Sequence, residues 1–362
     1  MKSPASKQAI DGVDALFASV GLKPGSRATL KDSWSKGERI PRKLREKTAA
    51  AASKPAKKAV KKQPVDVVQT AAFTRQKDLL HGFSTRPGGV SRVYRPWLAK
   101  GDGDLNLSWT KDDSPEFVAE NRMRFLQAVT RSARSKTRTR TQLVTLRQIH
   151  SPVVRVIEKK HGKLSTKDGR AVLRGDGVMT DVPELLLGIQ TADCIPILVS
   201  DLKTGAVAAF HAGWRPTLAR IVERGIGRMQ LQYGTDPKNL IAAIGPGIGP
   251  CCYAVGEEIR YEFESQFAYW KELFTEVYDE DPVKTKYPLL FLTARAPGHS
   301  PIGPQTHLNL WEANRRQLLD AGVPLKNITV TGLCTACNTE RFFSHRAERG
   351  FTGRMMNVIG TT

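Results

Sequence analysis

Ile195-Pro196-Ile197-Leu198-Val199-Ser200, Asp201-Leu202-Lys203-Thr204 and Gly205-Ala206-Val207-Ala208-Ala209-Phe210-His211 decide the fold. Two apolar runs flank four turn-forming residues, and together they read as a buried hairpin. Working outward, residues 185–190 and 241–244 are further short apolar strands. Strands are also expected near 142–150, 152–158 and 328–333. Residues 81–91 read as a strand entering a glycine-rich loop. Helices are expected over 115–130, 217–233 and 309–321, with another from about Glu257. Strands and helices mix over short connections, so the fold class is α/β (mixed α+β).

The hairpin carries a chemical expectation. A four-residue turn after Ser200 would set Cys194 directly opposite His211 on one face of the ladder. Opposed Cβ atoms lie about 4.5–5.5 Å apart. One zinc ion reaches both, at about 2.3 Å from sulfur and about 2.0–2.1 Å from nitrogen. His150, in Gln148-Ile149-His150-Ser151, is the third candidate ligand. Two imidazoles and a thiolate leave a fourth position for water. The same residues also read as a Cys194 nucleophile with His211 as its base. Residue chemistry leaves both readings open, and both make the chain an enzyme.

Asp193 adjoins the cysteine and is a candidate acid, base or partner of the site. Arg215, and Arg86 beside Gly88-Gly89, are candidate anion clamps. The run Gly245-Pro246-Gly247-Ile248-Gly249 lacks the Gly-Lys-Ser/Thr ending of a nucleotide loop. It is expected to be a tight turn lining the pocket. His345 is a further pocket candidate. Cys334-Thr335-Ala336-Cys337 has no second pair at metal-ligand spacing, so no zinc ribbon is expected; it reads as structural, with a redox role as the alternative.

The 362 residues are long enough for a substantial core, and no run of eighteen apolar residues points to a membrane span. No apolar segment precedes a small-residue cleavage site, so no secretory signal is expected. Five cysteines are too few and too odd for a disulfide framework, which places the chain in a reducing cytoplasm. The net charge of +21 is unevenly spread. Residues 1–62 carry 16 Lys/Arg against 5 Asp/Glu, and residues 131–140 add five basic groups and no acid. Residues 1–70 therefore read as a disordered basic tail and 71–362 as the catalytic domain. Such a tail either solubilises the chain or binds nucleic acid or another polyanion weakly. No aromatic interleaves residues 41–65, so no stacking platform for single strands is expected.

The motifs occur in a distinctive order. Gly82-Phe83-Ser84-Thr85-Arg86 comes first, with Gly88-Gly89-Val90-Ser91. Asn106-Leu107, Glu120-Asn121-Arg122, Gln148-Ile149-His150, Ala192-Asp193-Cys194-Ile195-Pro196 and His211-Ala212-Gly213-Trp214-Arg215 follow. Ile244-Gly245-Pro246-Gly247-Ile248-Gly249-Pro250-Cys251-Cys252-Tyr253 and Phe342-Phe343-Ser344-His345-Arg346 with Thr352-Gly353-Arg354 complete the set. Over roughly residues 71–360 the chain resembles the YfiH/laccase-domain family, also called the multicopper polyphenol oxidase or purine nucleoside phosphorylase family.

The resemblance implies a single domain with a mixed sheet and flanking helices, similar to a bacterial toxin catalytic domain. It implies zinc held by His150, Cys194 and His211, which makes zinc the stronger reading of these residues. On this reading Cys194, His211 and Asp193 are the expected catalytic residues, and Arg86, Arg215 and Asn106 are expected to hold substrate. The implied reactions are phosphorolysis of adenosine, inosine, guanosine and methylthioadenosine, and deamination of adenosine. Nucleoside and phosphate are then the small-molecule partners. Some bacterial members are named peptidoglycan editing factors, so the alternative is a metal-free Cys–His hydrolase or amidase acting on cell-wall precursors. Seven histidines and no His-x-His pair do not support the copper oxidase of the older family name. The His-x-Glu and Pro-Cys-x-x-Cys signature of zinc deaminases is also absent. Pro216 stands where the family usually has glycine, His345 replaces a common tyrosine, and residues 92–104 and 280–306 look longer than usual.

Overall fold

The computed structural model describes residues 64–98, 103–131, 141–277 and 305–362. The tail up to residue 63 and most of the segments 131–140 and 280–306 lie outside the described residues. Among the described residues no helix is long and apolar enough to cross a membrane.

The hairpin forms as β8 (Ile195–Asp201) and β9 (Val207–Ala212), but its register differs from the expected one. Ser200 pairs with Val207 and Pro196 with His211. The four-residue turn is displaced by one residue, to 202–205: the Asp201 N–H bonds the Ala206 carbonyl (2.8 Å), and the Asp201 carboxylate accepts the N–H of Lys203 (2.8 Å) and Thr204 (3.2 Å). These local bonds hold the turn one residue later than expected. Cys194 is therefore diagonal to His211 on the same face, not opposite it. Diagonal neighbours still lie within reach of long side chains.

Two mixed sheets stack. One runs in the order β1 (Val67–Val68), β2 (Leu79–Ser84), β14 (Met355–Thr361), β7 (Leu185–Thr191), β4 (Gln142–Thr145). The other runs β13 (Ile328–Val330), β10 (Leu240–Ile244), β8, β9, β6 (Gly177–Thr180), β5 (Val154–Val156). The remaining strands are β3 (Pro87–Ser91) and a hairpin of β11 (Phe274–Val277) with β12 (Gln305–Leu308). Among the described residues the α-helices are α1 (Ala71–Thr74), α2 (Pro115–Arg131), α3 (Trp214–Leu218), α4 (Ile221–Tyr233), α5 (Glu257–Gln266) and α6 (Leu310–Asp320).

Strand alternation sorts the side chains into layers. Leu187, Ile189 and Ile359 of the first sheet meet Leu198, Val207, Ala209 and Ala243 of the second in one core between the sheets. On the far side of the second sheet, Ile197, Val199, Phe210 and Ile244 pack against Ile226 and Met229 of α4 and Leu318 of α6. On the far side of the first, Leu186, Met356 and Val358 pack against Phe125 and Val129 of α2. The result is helix, sheet, sheet, helices, the mixed α/β class the sequence led us to expect.

Three local differences have identifiable causes. The helix expected over 217–233 is split, because Arg220 takes a left-handed conformation (φ 57°, ψ 45°) between α3 and α4. Its guanidinium bonds Glu223 and the Gln266 carbonyl and lies over the Phe267 ring. Gly88-Gly89 lies in a strand rather than a loop: a Cβ on Gly89 would sit 2.1 Å from the Asp104 carbonyl oxygen, so backbone approaches backbone there. The first sheet also begins before Ala71, with Val67 and Val68 paired to Ser84 and Phe83.

Two outcomes test this packing. A Cβ on Gly225 of α4 would lie 2.3 Å from the Phe210 ring, whereas one on Gly227 meets nothing within 4 Å. Gly225→Ala should lower stability by about 1–3 kcal/mol through overpacking. Gly227→Ala should raise it by up to about 1 kcal/mol through helix propensity. Thermal melts of the two variants should shift in opposite directions.

His81, buried in β2, accepts the Thr70 N–H at 2.9 Å through Nε2, so its imidazole is neutral there. Burial lowers its pKa from 6.5 to about 4. The unfolded chain therefore takes up a proton that the folded one refuses between those values. This contribution is complete above about pH 6.5 and disappears as pH falls to about 4, amounting to about 3 kcal/mol. The stability gap between wild type and His81→Leu should shrink over that window in denaturant titrations, and a constant gap would refute the assignment.

Candidate metal centre

The site is built on a residue that the motifs did not single out. Asp176 sits between Gly175 and Gly177 at the start of β6, fully buried. Its carboxylate accepts the backbone N–H of Ile149 (3.1 Å), His150 (3.0 Å) and Ser151 (2.7 Å). It also accepts the Ser151 hydroxyl (2.9 Å) and Nδ1–H of His211 (2.9 Å). Burial alone would raise its pKa, but the bonds from His211, Ser151 and Ile149 prevail and hold it at about 2.

That carboxylate sets both imidazoles. The turn it gathers contains His150 at φ 56°, a conformation that costs a non-glycine residue on the order of 1–3 kcal/mol. On the other side, Nδ1 of His211 is committed to Asp176, and the His211 N–H bonds the Asp176 carbonyl at 2.7 Å. Nε2 of His211 is left for a ligand, the arrangement that orients metal-binding histidines.

Cys194 completes the group. One donor atom from each of His150, Cys194 and His211 lies within 4.8 Å of the others. Cys194 Sγ is 3.9 Å from His150 Nε2, and the two imidazole rings meet edge to face at 4.9 Å. Sulfur and nitrogen on one tetrahedral zinc would lie about 3.3–3.8 Å apart, so the set fits with little adjustment. Burial opposes charge at both partners. Even so, the His211 imidazolium draws the Cys194 thiol down, and the thiolate pushes His211 up.

Gly213 keeps the space between the donors open. A Cβ there would lie 2.9 Å from Cys194 Sγ and 3.3 Å from His150 Cδ2. Its backbone (φ −71°, ψ 178°) would accept any residue, so only the space requires glycine.

These donors open onto a cavity of about 570 Å³, lined also by Asp193, Tyr253, His345 and three arginines, Arg147, Arg346 and Arg354. Asp193 has φ 90°, and its carboxylate accepts the Thr335 hydroxyl and the Arg346 N–H, each at 2.6 Å. The expected anion clamps are placed differently. Arg86 is 2% exposed, with its guanidinium on Asp104, Glu348 and the Thr339 carbonyl. Asn106 is buried, bonding Asp113 and accepting the Arg354 N–H at 2.9 Å. Arg215 is exposed and lies over the ring of Trp214. None of the three lines the cavity. Arg86 and Asn106 instead support the segments that carry Arg346 and Arg354.

The sequence spacing offers Cys334 and Cys337 no partner pair, but the fold does: the adjacent Cys251 and Cys252, with all four sulfurs within 4.8 Å. Spacing could not reveal it, because a vicinal pair does not follow the Cys-x-x-Cys rule. Asp176 was missed for a different reason: its only sequence signal is an acid between two glycines at a strand start.

Gly213→Ala should bind zinc far more weakly while its circular dichroism matches wild type. Asp176→Asn should lose about 10–100-fold in zinc affinity, the usual cost of removing an outer-sphere partner. Competition against a chromogenic chelator measures both. Unchanged affinity in either variant would mean that zinc does not sit among these donors.

Residues 80–362 match the family model described as multi-copper polyphenol oxidoreductase laccase. The chain is 31% identical to the purine nucleoside phosphorylase YlmD of Geobacillus stearothermophilus, over 77% of this chain and 89% of that protein. It is 32% identical to adenosine deaminase RL5 of an unknown prokaryotic organism, over 66% of this chain and 84% of that protein. The crystal structure of the Bacillus licheniformis hypothetical protein YfiH superposes with a TM-score of 0.62 at 29% identity, covering 78% of this chain and 93% of that one. The chain therefore belongs to the laccase-like multi-copper polyphenol oxidoreductase family, which includes the YfiH and YlmD proteins.

Proposed function

We propose that this chain is a zinc-dependent purine nucleoside enzyme. The reading rests on the two imidazoles and one thiolate, oriented by Asp176, that open into the arginine-lined cavity. It draws support from relatives named purine nucleoside phosphorylase and adenosine deaminase. Phosphorolysis of adenosine, inosine, guanosine and methylthioadenosine, with deamination of adenosine, is the activity we assign. Zinc fits the donor set, since borderline-soft Zn²⁺ accepts both imidazole nitrogen and thiolate. Bound there, it would supply a Lewis acid and acidified water to the cavity.

The chain's own groups do the rest. Arg346 and Arg354 offer planar cations for phosphate, and both are braced: Arg346 on the Ala254 carbonyl and the Tyr253 ring, Arg354 on the Thr352 and Gly353 carbonyls. Tyr253 presents an aromatic surface to a purine base. Asp193 carries the proton to or from the substrate, its two oxygens aligned by Thr335 and the Arg346 N–H. Arg86 and Asn106 act from behind the wall, and Arg215 from outside it.

Cys194, His211 and Asp176 also stand in the order of nucleophile, base and orienting carboxylate. A nucleophile needs one imidazole, however, and here a second, His150, approaches the same sulfur at 3.9 Å. That favours the metal over the metal-free hydrolase.

The test is a screen of the four nucleosides with and without phosphate, on wild type and Cys194→Ala, with zinc content measured in parallel. Purine base should be released in a phosphate-dependent manner. Cys194→Ala should lose more than about 100-fold in kcat/KM, beyond the range for an outer-sphere partner. Full turnover in the variant, or in protein stripped of metal, would overturn the proposal.

A further inference from the structure

The four cysteines outside the cavity lining belong to no part of the mechanism above, and they are placed as ligands are. We propose that Cys251, Cys252, Cys334 and Cys337 form a second metal site, which holds a structural zinc ion.

Their geometry carries the argument. All four sulfurs lie within 4.8 Å of one another, with Cys337 Sγ 3.4 Å from Cys251 Sγ and 3.3 Å from Cys252 Sγ. A disulfide would bring two sulfurs to about 2.05 Å. Four sulfurs at about 2.3 Å from one tetrahedral zinc would lie about 3.8 Å apart. The observed spacing is close to the second value, and all four thiols are free. Tetrahedral S₄ coordination selects zinc or iron. Four protein ligands leave no open position, so the site is structural rather than catalytic.

The surrounding backbone prepares it. The Gly249 N–H donates to Cys334 Sγ at 3.2 Å, a bond that favours thiolate. A side chain on Gly249 would reach within 3.2 Å of Cys251 Sγ and 2.8 Å of the Trp311 ring, so glycine keeps this side open. The ligands come from two loops already laced together. The Gly247 N–H bonds the Leu333 carbonyl (3.2 Å), and the Thr335 N–H bonds the Gly247 carbonyl (3.0 Å).

The site also has a task. Thr335, between the two ligands of the Cys-x-x-Cys turn, gives its hydroxyl to Asp193. Ile248, three residues before Cys251, donates its N–H to the Asp193 carbonyl at 2.7 Å. Zinc on the four sulfurs would clamp both loops, and through them the carboxylate beside Cys194. Metal that binds only the folded arrangement stabilises it.

The first centre and this one share no residue, so their failures can be told apart. Full-length chain is purified in thiol reductant without metal-affinity steps, and its metals are counted per chain. Wild type should hold two zinc ions, Cys194→Ala one, and Cys337→Ser and Cys252→Ser one each. X-ray absorption on Cys194→Ala should show four sulfurs at about 2.3 Å from its zinc. If the serine variants do not fold, the Cys194→Ala arm alone decides. One all-sulfur zinc in both wild type and Cys194→Ala would uphold this site while removing the first. Cys194→Ala without zinc would overturn the inference. Nitrogen or oxygen in its coordination shell, iron with sulfide, or a disulfide among the four in the reduced protein would also overturn it.

Discussion

A single buried carboxylate sets the geometry on which the site depends. Carrying an ionised group into a protein interior costs several kcal/mol unless its lone pairs are met. Asp176 meets that cost with three consecutive backbone N–H groups, a hydroxyl and an imidazole. The bonds join segments far apart in sequence, the 149–151 turn and the end of β9. The carboxylate gathers the turn that carries His150 and orients the His211 ring. Replacing the acid by an apolar residue would strand five donors at once, so the chemistry and the local folding fail together.

The sheets determine where this happens. His211 continues the face of Val207 and Ala209, which lies in the core between the two layers. The alternation that buries apolar side chains along β9 delivers a polar one where the layer ends. Leu146 belongs to that core and also lines the cavity. The cavity is thus the open end of a hydrophobic layer, closed off by segments from Asp193, Tyr253 and Arg346.

Much of this was readable before any coordinates. Short apolar runs between turn residues located β7 to β10, and the motif order located the three donors. What stayed hidden depended on distance in space. The bonds made by Asp201 shift the hairpin turn by one residue and move Cys194 from opposite His211 to diagonal, a local competition invisible to a count of residues. Arg220 broke a continuous apolar helical pattern for contacts with Gln266 and Phe267. Arg86 looked like a clamp beside a glycine turn, yet buried acids at Asp104 and Glu348 claim it. The four cysteines assemble only because β10 and β13 lie side by side and their following loops meet.

The last strand among the described residues has a consequence for how the molecule comes into being. β14 follows every other strand in the chain, yet it lies in the interior of its sheet, hydrogen-bonded to β2 on one side and β7 on the other. During synthesis those two strands exist long before their common neighbour does. Both edges stay unpaired in the meantime, and such edges are open to mispairing with other chains. Closing the sheet joins residues near 80 to residues near 360, and contacts of such separation form slowly. A nascent chain must therefore wait, with this sheet incomplete, until β14 leaves the ribosome.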